Sequence, residues 1–154
     1  MTPEDFIESL KPYCLPVKQR GYFPSVFLAQ AALESGWGAS PLAKVNNLWG
    51  HKWKSELDKG RYDWINKLSD EEINSFMIPE DSRFRVYRDM NSAVQAYCDK
   101  WEERWPDGTE KYPNQDHSSP PAFIVSVAPK YCNDGKYVTK LKSIIARYIL
   151  TRFD

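Results

Sequence analysis

The sequence predicts a mostly helical α+β fold, and three observations predict it. Apolar residues recur at helical spacing up to Ser35 and again from Asp89 onward. Between Trp49 and Arg83 that period is lost and the chain turns polar, broken by Gly60, with Phe76, Met77 and Ile78 as its one compact apolar run. The 154 residues, 42% hydrophobic and 27% charged, suffice for one core that removes roughly 70% of the unfolded chain's surface from water. The expected organisation is a single domain over residues 1–154, a helical lobe with residues 51–83 as a small β-lobe of one or two short strands.

Each element has its own signal. Thr2, Pro3, Glu4 and Asp5 supply an N-cap, a first-turn proline and first-turn acids, so a helix starts there with Phe6, Ile7 and Leu10 inward. Pro12 breaks it before a second short helix that stops near Gly21. Pro24 to Ser35 reads as a helix apolar almost all round, closed by Gly36, and such a helix runs through a core. After Asp89 the stripe Ala93, Val94, Tyr97, Cys98, Trp101 and Trp105 predicts a helix ended by Pro106. Residues 107–121 read as a loop, Pro120 to Ala128 as a short helix. Tyr137, Val138, Leu141, Ile144, Ile145, Tyr148 and Ile149 form a last amphipathic helix behind an Asn133, Asp134 cap.

Composition excludes several classes. Twenty-one basic and 21 acidic side chains cancel, which argues against a nucleic-acid partner held by phosphate contacts. No apolar run approaches the roughly 20 residues that span a bilayer. The acidic N-terminus lacks the pattern of a secretory signal, so the expectation is synthesis in the cytoplasm without a signal peptide. Cys14, Cys98 and Cys132 are odd in number and widely spaced, and are read as thiols. His51 and His117 have no metal-ligand spacing, which speaks against a zinc amidase, and no cofactor motif is present. Cys98 sits on an apolar stripe, as a core residue does, and leaves Cys132 as the one thiol a peptidase reading would need.

One residue stands out on the buried helix. Glu34 lies four residues after Gln30 and seven after Phe27, on their face. Burial and the negative end of the helix dipole both disfavour its charged form and raise its pKa. A carboxyl that keeps its proton near neutral pH is what glycoside hydrolysis needs beside the leaving oxygen. An exposed glutamate at a helix end is the competing reading from periodicity alone.

The surrounding residues decide between the two. Ser25-Val26-Phe27-Leu28-Ala29-Gln30-Ala31-Ala32-Leu33-Glu34-Ser35-Gly36-Trp37-Gly38-Ala39-Ser40, then Leu42-Ala43 and Asn46-Asn47-Leu48-Trp49-Gly50, closely resemble the glucosaminidase family of peptidoglycan hydrolases, glycoside hydrolase family 73. Phe84-Arg85-Val86-Tyr87 is similar to that family's Phe-Arg-x-Tyr strand end, and Tyr131-Cys132-Asn133-Asp134 with Tyr137, Lys140 and Leu141 to its Tyr-Ala-Thr-Asp segment and last helix. The resemblance implies a lysozyme-like fold, a helical lobe and a small β-lobe flanking a glycan groove. It implies an endo-β-N-acetylglucosaminidase cleaving the β-1,4 bond after N-acetylglucosamine, with Glu34 as catalytic acid, Tyr131 reaching the cleaved sugar, and no cofactor or metal. The family's second carboxylate sits in the β-lobe. Here its usual Thr-x-Glu motif is replaced by Ser69-Asp70-Glu71-Glu72-Ile73-Asn74-Ser75, so Glu72 is the first choice and Glu71 the second, with Asp58, Asp63 and Glu80 as further candidates.

Trp37, Asn47, Trp49 and Tyr87 are expected along the groove as substrate-binding residues, with Trp53 and Trp64 as further aromatic candidates. Asn46 and Asn47 are also expected to tie down the turn into the β-lobe. The expected partner is the peptidoglycan strand, met by a monomer without nucleic acid or membrane insertion. Action on the wall would follow release, as for a phage endolysin, or export within a larger protein. A muramidase or lytic transglycosylase on the same fold, or a catalytically silent wall-binding module, are the alternatives.

Overall fold

The computed structural model describes residues 1–66, 83–132 and 134–154. Helix α1 (Pro3–Leu10) opens on a capping box in which the Asp5 amide donates to the Thr2 hydroxyl at 3.1 Å and the Thr2 amide donates back to the Asp5 carboxylate at 3.3 Å. A 3₁₀ turn at Lys11–Tyr13 absorbs Pro12 and leads into α2 (Cys14–Gln19). Helix α3 (Pro24–Ser35) follows, and every side chain from Pro24 to Ala32 is buried. A fully buried Phe or Leu contributes about 1.5–3 kcal/mol, so this apolar-all-round helix is stable only at the centre of the molecule. It packs against α1, α2, α6 (Pro120–Tyr131) and α7 (Tyr137–Arg147).

Helix α5 (Met90–Lys100) closes the core from the other side, with Asp89 capping the Ser92 amide at 2.7 Å. Its Tyr97 ring packs edge-on to Phe27 at 5.2 Å. A buried polar chain threads the three helices: the Tyr97 hydroxyl donates to Oε1 of Gln30 at 2.7 Å, and Nε2 of Gln30 donates to the Tyr137 hydroxyl at 3.1 Å. The amide of Gln30 would otherwise be a buried unsatisfied group on α3.

The small lobe holds a one-turn helix α4 (Ser55–Asp58) and an antiparallel pair, β1 (Asp63–Asn66) and β2 (Arg83–Val86), in the register Asp63 to Val86 through Asn66 to Arg83. The backbone of His51 to Trp53 pairs on the far side of β2, through Arg85 N to His51 O at 3.0 Å and Trp53 N to Arg83 O at 2.9 Å. Strand β2 is thus flanked on both sides. On the sheet face the Arg83 guanidinium lies 4.3 Å from the centroid of Trp64 and 5.5 Å from that of Trp53.

Four expectations about elements are corrected. The helix expected to run through Trp105 stops at Lys100, because Trp101 caps it and residues Arg104 and Glu110 form a bridge that folds the chain back at a turn through Gly108. The helix expected to end at Ala128 continues to Tyr131 through Pro129, its last turn held by Cys132 N to Ala128 O at 3.0 Å. The last helix ends at Arg147, and Ile149 takes a left-handed conformation, φ +50°, that swings its side chain out and lets Leu150 bury instead. That helix has Lys136 at its N-cap; Asp134 accepts the Lys136 amide at 2.9 Å, and Asn133 lies outside the described residues. All three cysteines are free thiols, and burial pushes Cys14 and Cys98 up to about 11. Among the described residues no helix is long and apolar enough to cross a membrane.

Candidate active site

A cleft of about 540 Å³ runs between the lobes. Its walls come from the end of α3 (Glu34), the segment after Trp49, strand β2, the end of α5, the loop through Tyr112 and the end of α6. Glu34 is half-buried in the last turn of α3. Gly36 ends that helix in the left-handed conformation, φ +56°, with its amide and that of Trp37 both on the Ala32 carbonyl. Ser35 then fastens the exit, donating to Ala31 O at 2.6 Å and accepting the Gly38 amide at 2.9 Å. Gly50, φ +64°, brings its backbone against the acid: a methyl group on it would stand 3.8 Å from Oε2 of Glu34. That is an ordinary contact distance, so glycine is favoured there by the left-handed conformation and not by lack of space.

Tyr131 faces the same cleft from the end of α6. Its hydroxyl donates to the Trp49 carbonyl at 3.3 Å, and its ring stacks on Tyr137 at 5.3 Å. Burial, followed by the neighbouring Tyr137 and Glu34, holds its phenol far above the usual range, so it keeps its proton. Over the ring sits Nζ of Lys100, 4.4 Å from the centroid. Burial pushes the Lys100 ammonium down to about 7; Glu103 resists this most, Arg85 and Lys111 add to it, and Glu34 resists it.

Beneath the cleft lies a buried charge network. Asp58, wholly buried, accepts Nε and Nη2 of Arg85 at 3.1 and 2.9 Å and the Lys54 amide at 2.9 Å. Arg85 also reaches Glu103 at 2.9 Å, and Glu103 takes Lys111 at 3.1 Å. The Arg85 guanidinium lies 4.6 Å from the Tyr62 ring centroid, and its Nη1 is 3.4 Å from the Tyr87 hydroxyl. That hydroxyl pairs with Nδ1 of His51 at 2.7 Å. The network ties α4, β2 and the loop after α5 together, which fixes the spacing of the cleft walls.

Sequence-predicted site residues divide sharply. Glu34, Tyr131 and Trp49 line the cleft, although the Trp49 ring is buried, stacked on Phe27 at 5.2 Å with its indole N–H on the Phe27 carbonyl. Trp37, expected at the groove, is outside it, its ring held by Phe6 at 5.7 Å and Tyr148 at 4.9 Å. Asn47 cannot touch a glycan because it is 1% exposed, its side chain donating to His51 O and Arg85 O and accepting the His51 amide; it holds the turn. Asn46 does the same through Tyr87 O at 3.0 Å. Tyr87 is buried in the network, so its expected place on the substrate is corrected too. Asp58 is held by Arg85, and Asp63, which opens β1, is not among the described residues that line the cleft. Glu72, Glu71 and Glu80 lie outside the described residues.

Two cleft residues went unforeseen. Trp105, 48% exposed, stands on the hairpin after α5 beneath Lys111, whose Nζ is 4.8 Å from its centroid. Lys100 falls three residues after Tyr97 and seven after Ala93, a cation in an apolar stripe, and that spacing was the available signal. Among the described residues no group of three His, Cys, Asp or Glu side chains is placed to hold a metal ion.

A helical lobe and a two-stranded lobe flanking a cleft with a half-buried glutamate at a helix end define a lysozyme-like fold. The family description "Mannosyl-glycoprotein endo-beta-N-acetylglucosaminidase" matches residues 16–150, and the chain belongs to this glucosaminidase family. Among solved structures it is similar to a peptidoglycan hydrolase mutant from Sphingomonas sp. A1, with a TM-score of 0.69 and 26% identity over 97% of this chain and 96% of that one. The catalytic domain of the autolysin Auto from Listeria monocytogenes shares the fold, with a TM-score of 0.71 at 24% identity, over 99% of this chain and 87% of that one. Among curated relatives, a "Probable N-acetylmuramidase" of Lactococcus lactis is 32% identical over 98% of this chain and 35% of its own length. "Exo-glucosaminidase LytG" of Bacillus subtilis is 27% identical over 97% of this chain and 52% of its own. The chain thus spans about a third of the length of its Lactococcus relatives.

Proposed function

We propose that this chain hydrolyses the β-1,4 bond after N-acetylglucosamine in bacterial peptidoglycan, as an endo-acting glucosaminidase. One observation carries the reading: Glu34 and Tyr131, far apart in sequence and on different helices, line a single cleft. Glu34 donates its proton to the oxygen of the leaving sugar as the bond lengthens. Tyr131, a phenol that stays protonated, turns its O–H from the Trp49 carbonyl to the 2-acetamido group or to a water. The second carboxylate is Glu72, with Glu71 next; it steadies the oxocarbenium-like transition state or activates water, while in a substrate-assisted route the acetamide oxygen attacks instead. Both routes begin with the proton of Glu34. The domain acts as a monomer on wall glycan, outside the cytoplasm.

A muramidase is the second reading, favoured by the name of the Lactococcus relative at 32% identity. Digestion of purified peptidoglycan, borohydride reduction and mass spectrometry separate the two. Fragments ending in reduced N-acetylglucosamine support the first reading, and reduced N-acetylmuramic acid the second. Anhydromuramic ends would indicate a lytic transglycosylase. Co-sedimentation with walls without any fragment would indicate a silent binding module.

A further inference from the structure

Among the described residues, the cleft gathers more cations than anions. Its described walls carry Lys52, Lys54, Arg85, Lys100, Lys111 and Lys130 against Glu34, Glu103 and Glu110, while Asp70, Glu71, Glu72, Glu80 and Asp81 lie outside the described residues. Part of this is internally matched. Arg85 and Lys111 share Glu103, Arg85 also has Asp58, and Glu110 is held by Arg104 at 3.2 Å. Lys52, Lys54, Lys100 and Lys130 form no ion pair among the described residues. Lys130 and Lys52 are exposed at the rim. Lys100 lies deeper, half-buried over the Tyr131 ring, where its charge interacts with that of Glu34.

An ammonium that burial destabilises to this degree, pKa about 7, gains from an anionic oxygen brought by a ligand. We infer that Lys100, with Lys130 and Lys52 at the rim, forms a carboxylate subsite that takes the free carboxylates of the peptide stem carried by the glycan being cut. The inference rests on the proposed glucosaminidase reading, which also says why the stem arrives there. If cleavage follows N-acetylglucosamine, the oxygen that Glu34 protonates is O4 of the muramic acid. The lactyl ether that carries the peptide is on the adjacent C3. The root of the stem therefore lies next to the reacting oxygen, in the cleft that Lys100 and Glu34 both line. The glycan itself carries no cation to balance the stem's carboxylates, and this wall of the cleft supplies them.

The test reads binding separately from turnover. Soluble glycan fragments of equal length are titrated calorimetrically into full-length Glu34→Gln protein in three forms: with stems bearing the free α-carboxylate of D-glutamate, with that group amidated, and stripped of peptide. The free carboxylate should bind about tenfold tighter than its amide, as a charge-assisted contact predicts. In Lys100→Met and Lys130→Gln backgrounds that preference should shrink towards parity, while the stripped glycan binds unchanged. Lys100→Met should also raise Tm, since it removes a partly buried cation. Equal affinity for acid and amide, a preference that survives both substitutions, or a fall in Tm with Lys100→Met would each overturn the subsite. Displacement of the stem fragment by poly(glycerol phosphate) at equal affinity would overturn it in favour of a general polyanion surface. If wild-type protein released no fragment while the carboxylate preference held, the glucosaminidase reading would fail and the subsite would stand.

Discussion

Replacing Asp58 by Asn isolates what the buried charge network contributes. The carboxylate is wholly buried and receives three N–H donors, two from Arg85 at 2.9 and 3.1 Å and one from the Lys54 backbone at 2.9 Å. An amide oxygen replaces one carboxylate oxygen; the NH₂ then points a donor at a donor. Removing one partner of a buried ion pair costs about 3–5 kcal/mol. Glu103 keeps its own hold on Arg85 at 2.9 Å, so a loss near the lower end, about 3 kcal/mol, is expected. For a chain of this size each kcal/mol moves Tm by roughly 2–4 °C, giving a fall of about 6–12 °C by calorimetry. The companion Asp58→Leu, Arg85→Met double variant removes both charges and should recover most of that loss. A fall below about 2 °C for Asp58→Asn, or a double variant no better than the single, would refute the view that the penalty comes from a stranded guanidinium.

Four further predictions concern the site and its pH response. Glu34→Gln should lower turnover on cell walls by at least about 10²–10⁴-fold with Tm little changed; clearance at a comparable rate would end the general-acid assignment. Tyr131→Phe should reduce turnover and leave stability nearly intact, because only a 3.3 Å hydrogen bond to Trp49 is lost; unchanged kinetics would return the residue to a packing role. Glu72→Gln should cost far more turnover than Glu71→Gln, and the reverse ranking would shift the assignment by one residue. Burial holds the His51 imidazole well below 6.5, so the unfolded chain takes up a proton that the folded one refuses. Stability from this group is complete above about pH 6.5 and declines below it by up to about 1.4 kcal/mol per pH unit; denaturant titrations from pH 7.5 to 5 should show a shallower decline for His51→Asn, and parallel profiles would contradict the account.

Much of the fold was legible because its signals are local. Thr2 with Asp5, Pro24 with Gly36, and the unbroken apolar run between them each determine a helix boundary within a turn of chain. Glu34 was legible for the opposite reason, as a carboxyl where a local rule is broken. What could not be read were identities decided by distant partners. Asn47 and Tyr87 are polar or amphipathic residues in a glycan-hydrolase pattern, and only the pairing of β2 with residues 51–53 shows that they are sealed inside it. Trp105 continues the spacing of Trp101, but the backbone leaves the helix first, as the loop's own hairpin turns it towards the cleft. For Lys100 the sequence holds a signal, its spacing after Ala93 and Tyr97, but a lysine in a last helical turn also complements the dipole, and only Tyr131, from another helix beneath it, decides between the two.

Helix α3 has no cap of its own at its first turn. Phe23 occupies the N-cap position, and a phenyl ring cannot accept a hydrogen bond. The acceptor comes from residue 154: the Asp154 carboxylate takes the Ser25 amide and the Ser25 hydroxyl, each at 2.7 Å. The segment that delivers it, a 3₁₀ turn at Leu150–Phe153, packs along α3. During vectorial synthesis, the helix that ends in Glu34 is therefore translated early and completed late. Its amide dipoles meet their counter-charge only when the last residue described leaves the ribosome. Until then the helix lacks this cap, an N-cap being worth about 1 kcal/mol. The stability of the helix that ends in Glu34 is thus tied, at its other end, to residue 154.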